Sequence, residues 1–186
     1  CQATMNRWIL AGLKKFSEYA VAETWAGFGT PVAASKLIVV DKLTASGTAK
    51  AVFVAKDGAI DKGPGTNPAA ISASLQITYD NGTNPAVSGV FGAPQGTSWL
   101  VNKATVAKYV NKSAPATLGG TKVSVIKPGN LVKLVGKNLG DTPIDIFNQS
   151  GKTTGVANTA FCIDNGPDHN CFCSTFAACT WKRIAG

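Results

Sequence analysis

The chain has 186 residues, enough for one domain that buries its own core. Hydrophobic residues make up 45% and charged residues only 15%, which excludes a mostly disordered chain and leaves Thr, Ser, Asn, Gln and Gly to build the polar surface. The net charge of +8 reflects a shortage of acids, with 18 Lys plus Arg against 10 Asp plus Glu, and the only guanidinium groups are Arg7 and Arg183. The lysines are spread singly apart from the adjacent pairs Lys14-Lys15 and Lys182-Arg183, so weak attraction to polyanions or a membrane surface is expected, and specific nucleic-acid recognition is not.

Residues 4–26 predict an amphipathic helix. Met5, Ile9, Leu13, Phe16 and Ala20 recur at three- and four-residue steps, Thr4 offers an N-cap, and Gly27, Gly29 and Pro31 end the pattern. Trp8, Lys14 and Lys15 lie on this helix and are candidate contacts to a membrane or a partner. Beyond it the period falls from 3.6 to 2. Strands are predicted at 36–40, 48–56, 71–79, 87–91 and 99–101, and 106–110 is ambiguous between helix and strand. The clearest is 71–79, where Ile71, Ala73, Leu75, Ile77 and Tyr79 alternate with Ser72, Ser74, Gln76 and Thr78. Between these, the Gly- and Pro-rich stretch 57–69 is a candidate mobile or binding loop, or a plain connector. Segments 121–126 and 131–135 flank Lys127-Pro128-Gly129-Asn130 as a hairpin, and 144–147 and 155–163 complete the set. Helices do not alternate with strands, so a parallel α/β fold is disfavoured. The expected class is α+β, mainly β: one domain in which the helix packs on an antiparallel sheet or β-sandwich spanning 35–163, followed by a cysteine-rich segment at 162–186.

That last segment carries most of the distinctive chemistry. Cys162, Cys171, Cys173 and Cys179 lie within eighteen residues, together with the only histidine, His169. Bridging a Cys-X-Cys pair is strained, which leaves Cys162–Cys171 with Cys173–Cys179, or Cys162–Cys173 with Cys171–Cys179. Such bridges would order a C-terminal loop with few apolar anchors and would place the chain in an oxidising compartment. Cys1 is then the odd cysteine, a candidate for lipidation or a free thiol. Cys162, His169, Cys171 and Cys173 also have the ligand chemistry of zinc, but their spacing lacks paired C-x2-C knuckles, and neither a metal nor another cofactor is expected.

Catalytic candidates are sparse. Glu18 and Glu23 belong to the helix, while Asp164, Asp168 and His169 surround a turn and offer at most a small acid–base cluster. Sequons at Asn81, Asn111 and Asn148 coincide with turns, and Trp99 and Trp181 fit either a core or a binding surface.

The layout of an amphipathic helix ahead of a basic β-sandwich resembles actinoporin-type pore formers. A helix, then an antiparallel sheet, then a cysteine-bounded C-terminal loop resembles the globular part of a type IV pilin. The expected role is therefore an exported, cell-surface or extracellular protein, adhesin-like or filament-subunit-like, working by partner binding or self-assembly rather than by turnover. A membrane-active toxin using the N-terminal helix and a small hydrolase using Asp168 and His169 are the alternatives.

Overall fold

A computed structural model describes residues 29–40, 50–80, 86–87, 90–115, 120–137 and 152–182. The helix expected over 4–26, with Cys1, Trp8, Lys14 and Lys15, lies outside these residues, as do the strand at 144–147 and the sequons at Asn81 and Asn148. The described residues are mainly β, arranged in two six-stranded sheets in which all but one strand pairing is antiparallel.

The strands are β1 (Thr30–Pro31), β2 (Ala34–Val40), β3 (Lys50–Lys56), β4 (Ile71–Asp80), β5 (Ala86–Val87), β6 (Phe91–Ala93), β7 (Trp99–Lys103), β8 (Val106–Val110), β9 (Thr121–Lys127), β10 (Leu131–Lys137), β11 (Lys152–Asn165) and β12 (Asp168–Lys182). One sheet runs β1-β12-β11-β4-β5, with β6 also paired to β4; the other runs β2-β3-β10-β9-β8-β7. The expected strand at 87–91 is divided, since Ala86–Val87 and Phe91–Ala93 are separate strands that both pair with β4. The ambiguous segment 106–110 is a strand between β7 and β9.

The period-2 pattern decides which face goes inward. On β4, Ile71, Ala73, Leu75, Ile77 and Tyr79 are buried while the side chains between them are half-exposed. Phe161 of β11 lies opposite Leu75, and Phe172 of β12 lies opposite Phe161, so one apolar row crosses three strands. In the facing sheet Phe53 of β3 lies opposite Leu134 of β10, and Ala55 opposite Val132. The two sheets meet where Phe53 stacks on Phe161, with ring centroids 5.9 Å apart, and Phe176 meets Phe53 edge-on at 6.5 Å. Trp99 is buried against Tyr109 and donates its indole N–H to the Pro94 carbonyl at 3.0 Å, so it is a core residue.

Two turns show how local chemistry sets the hairpins. Pro128, Gly129 and Asn130 connect β9 to β10; Pro128 supplies the fixed negative φ and Gly129 the left-handed one, at +68°. Gly166 and Pro167 connect β11 to β12 in the reverse order, with Gly166 at φ +72° opening a two-residue turn between the paired Asn165 and Asp168. Glycine first and proline second suits the primed turn that matches the twist of paired strands.

This second hairpin corrects the expected C-terminal loop. Residues 168–182 form a fifteen-residue strand paired along β11, anchored by Phe172 in the core and by the partly buried Phe176 packed against it. The stretch 57–69 is a pinned connector. Asp57 accepts from the Ala33 and Ala59 N–H groups, Ile60 is buried, and Lys62, at 1% exposure, donates to the Gly63 and Gly65 carbonyls at 3.2 and 2.7 Å. Asn165, also buried, donates to the Lys62 and Gly65 carbonyls and accepts from Asn102 at 3.0 Å.

Candidate functional site

The outward face of the first sheet holds the chemistry that the sequence concentrates near its end. Strand pairing sets side chains in rows across β4, β11 and β12: Ser72, Asp164 and His169 in one, and Ser74, Cys162 and Cys171 in the next. Partners directly opposite on antiparallel strands point to the same face, so each row is a line of contacts. Ser72 Oγ donates to Asp164 Oδ2 at 3.1 Å, and Asp164 Oδ1 meets His169 Nδ1 at 2.5 Å. His169 Nε2 then lies 3.3 Å from Cys171 Sγ. Cys171 is disulfide-bonded to Cys162, its direct opposite, with Cα atoms 4.1 Å apart.

The result is a continuous relay: hydroxyl, carboxylate, imidazole, disulfide. Its polar end is open to water, with the His169 and Asp164 side chains 64% and 51% exposed. An ion pair so exposed contributes about 0–1 kcal/mol to stability. Its chemical effect lies elsewhere. Asp164 fixes the imidazole through Nδ1 and thereby aims Nε2 at the sulfur.

The other two cysteines part from the expected pairings. Cys173 is disulfide-bonded, and Cys179 is a free, half-buried thiol whose nearest acceptor is the Phe176 carbonyl at 3.5 Å. Neither Cys173–Cys179 nor Cys171–Cys179 forms, because both lie along one extended strand. Six residues at about 3.3 Å each separate Cys173 from Cys179 by some 20 Å, far beyond the reach of a bridge. Burial raises the Cys179 pKa, against an opposing hydrogen bond from Ala157, so the thiol is kept protonated and unreactive. Among the described residues Cys179 is the unbridged cysteine, and Cys1 lies outside them.

Asp168 and His169 are adjacent in sequence but take different neighbours across the hairpin. Asp168 lies opposite Asn165 and its carboxyl group crowds Gly63, where a Cβ would come within 2.5 Å of Oδ2; the partner of His169 is Asp164, directly across the hairpin. Three of the four zinc candidates do converge. The ligand atoms of Cys162, His169 and Cys171 lie within 4.8 Å of one another. A metal needs thiolates, however, and both sulfurs are spent on their mutual bond, so this donor set does not fit an ion while the bridge is intact.

Sequence reasoning missed Lys62 and Ser72. Ser72 carried a signal, since it lies on the polar face of a regular strand, but its carboxylate partner is 92 positions away. Asn111, the described sequon, is a turn residue whose amide is engaged with Tyr109 Oη and the Ser113 N–H. The Trp181 side chain lies outside what is described. Comparison with protein-family models, curated proteins and solved structures returns no match.

Proposed function

We propose that this chain is an exported, cell-surface or extracellular protein that works by binding and self-assembly, in the manner of an adhesin or a filament subunit. The observation carrying this reading is the pairing of a cross-strand disulfide on an outer sheet face with terminal strands that display apolar side chains. The Cys162–Cys171 bridge suits an oxidising compartment. In the second sheet, the outermost strands are β2 and β7, each with one paired neighbour among the described residues. Leu100 on β7 is 60% exposed, and Ile38 on β2 is exposed as well. A terminal strand with free backbone groups and outward apolar side chains is a template for another strand.

Self-association measured by sedimentation velocity across a hundredfold concentration range, with electron microscopy of the concentrated sample, tests the reading. Concentration-dependent oligomers or filaments that Leu100→Lys weakens are the expected result. A chain that stays monomeric throughout, with Leu100→Lys indistinguishable from wild type, overturns it.

A further inference from the structure

The Cys162–Cys171 bridge is set apart from a buried staple by what flanks it. Both sulfurs are on the outward sheet face, half-buried, and one has an imidazole nitrogen 3.3 Å away. The imidazole is held from behind by Asp164, and Asp164 by Ser72. We propose that this bridge is a thiol-exchange site for low-mass thiols, in which Cys162 is the sulfur attacked and His169 is the acid for the departing Cys171.

The direction of attack follows from strand order. Displacement at a disulfide runs along the S–S axis, with the nucleophile arriving opposite the leaving sulfur. Because Cys162 and Cys171 are direct opposites on β11 and β12, that axis crosses the strands. Behind Cys162 lies β4, where the residue opposite is Ser74, a small and half-buried side chain. Behind Cys171 lies the edge of β12 that pairs with β1, and the chain at Gly29 closes on it. A Cβ on Gly29 would come within 3.6 Å of the Cys171 carbonyl oxygen and 2.3 Å of Cys173 Sγ. The small residue behind Cys162, the packed strand edge behind Cys171 and the imidazole beside Cys171 therefore point to the same outcome, attack at Cys162 with departure of Cys171.

The step balances with a thiol as the only co-reactant. A thiolate RS⁻ attacks Cys162 Sγ; the RS–S(Cys162) bond forms and the bond between Cys162 and Cys171 breaks. The electron pair leaves on Cys171 Sγ, which takes the Nε2 proton of the His169 imidazolium. The proton first released by RSH returns to the imidazole through water. A second thiol then attacks the mixed disulfide at the external sulfur, giving RSSR and two protein thiols, so two thiols are oxidised and one cystine is reduced. Leaving-group stabilisation is where His169 acts, since exchange accelerates as the departing thiolate becomes easier to expel. Asp164 is a positioning residue that keeps Nε2 on the sulfur.

The test uses the folded chain and reduced glutathione. Exchange is quenched by acid at intervals, and peptide mapping by mass spectrometry follows the Cys162–Cys171 bridge separately from the other cysteines. His169→Ala is expected to slow opening of this bridge about tenfold, with early mixed disulfide on Cys162 in the wild type. His169 is exposed, so the variant should keep its near-ultraviolet circular dichroism. Should it not, His169→Gln preserves the bulk and hydrogen bonding without supplying the proton, and is expected to be slowed alike. Equal rates in wild type and variant, or early glutathione on Cys171, overturn the proposal.

Discussion

Lys62 shows how one side chain organises a stretch that has no regular structure. A lysine at 1% exposure is rare, and its position is held by the carbonyls it reaches, those of Gly63 and Gly65. Asn165 shares the Gly65 carbonyl and also holds the Lys62 carbonyl, so the connector is tied to the β11–β12 turn. Burial lowers the Lys62 pKa from its ordinary 10.5, with Asp61 and Asp168 opposing the shift. The sign for stability follows. The folded chain gives up the proton at lower pH than the unfolded chain, so the unfolded chain binds more protons over that interval. Lys62 therefore adds stability as pH rises toward about 10.5. Urea unfolding of wild type and Lys62→Met at successive pH values should show a difference that shifts in favour of wild type from neutral pH upward. A constant difference would contradict the burial argument.

Asp57, at the start of the same connector, has the same sign in a lower pH range and for a different cause. Backbone N–H groups of Ala59 and Ala33 hold its carboxylate below its ordinary pKa, so its contribution is present at neutral pH and fades as pH falls through the lowered value. The destabilisation caused by Asp57→Ala should accordingly shrink on acidification, measured in the same unfolding series.

At the next level up, the β11–β12 hairpin is the element on which the candidate site depends. Its turn is set by Gly166 and Pro167, its pairing by thirteen register partners, and its outer row by the relay from Ser72 to Cys171. The bridge closes a sequence separation of 9 residues, for which loop entropy amounts to about 2.5 kcal/mol. Replacing both Cys162 and Cys171 by Ser should lower the unfolding free energy by about 2 kcal/mol, because the Gly-Pro turn already restrains the unfolded loop. Chemical denaturation checks this, and loss of folding altogether would mean that the hairpin depends on its sulfur.

For the molecule as a whole, the decisive contact is between sheets. Phe161 occupies the middle of the first sheet, flanked by Leu75 and Phe172, and stacks on Phe53 of the second. Phe161→Ala removes the ring that joins the two layers and leaves a cavity, at a cost of about 3–5 kcal/mol. Thermal unfolding of this variant should show a single transition at much lower temperature, since both sheets share one core. Two separated transitions would mean that the sheets fold independently.

Alternation along 71–79 was enough to assign β4 and its buried face, because a period of two is visible in any half-buried strand. The Pro128-Gly129 turn was equally legible, since one residue has a fixed φ and the other tolerates the left-handed region. Cysteine content pointed to oxidised sulfur, but the pairing was hidden: a cysteine count carries no register. Four thiols close in sequence suggested a compact loop, whereas Gly166 and Pro167 start a long strand that separates Cys173 from Cys179 and brings Cys162 opposite Cys171. The same register paired His169 with Asp164 instead of its neighbour Asp168. Local chemistry thus specifies periods and turns, whose causes lie within a few residues along the chain. Strand order and register decide which functional groups meet, because those depend on how distant apolar faces are buried together.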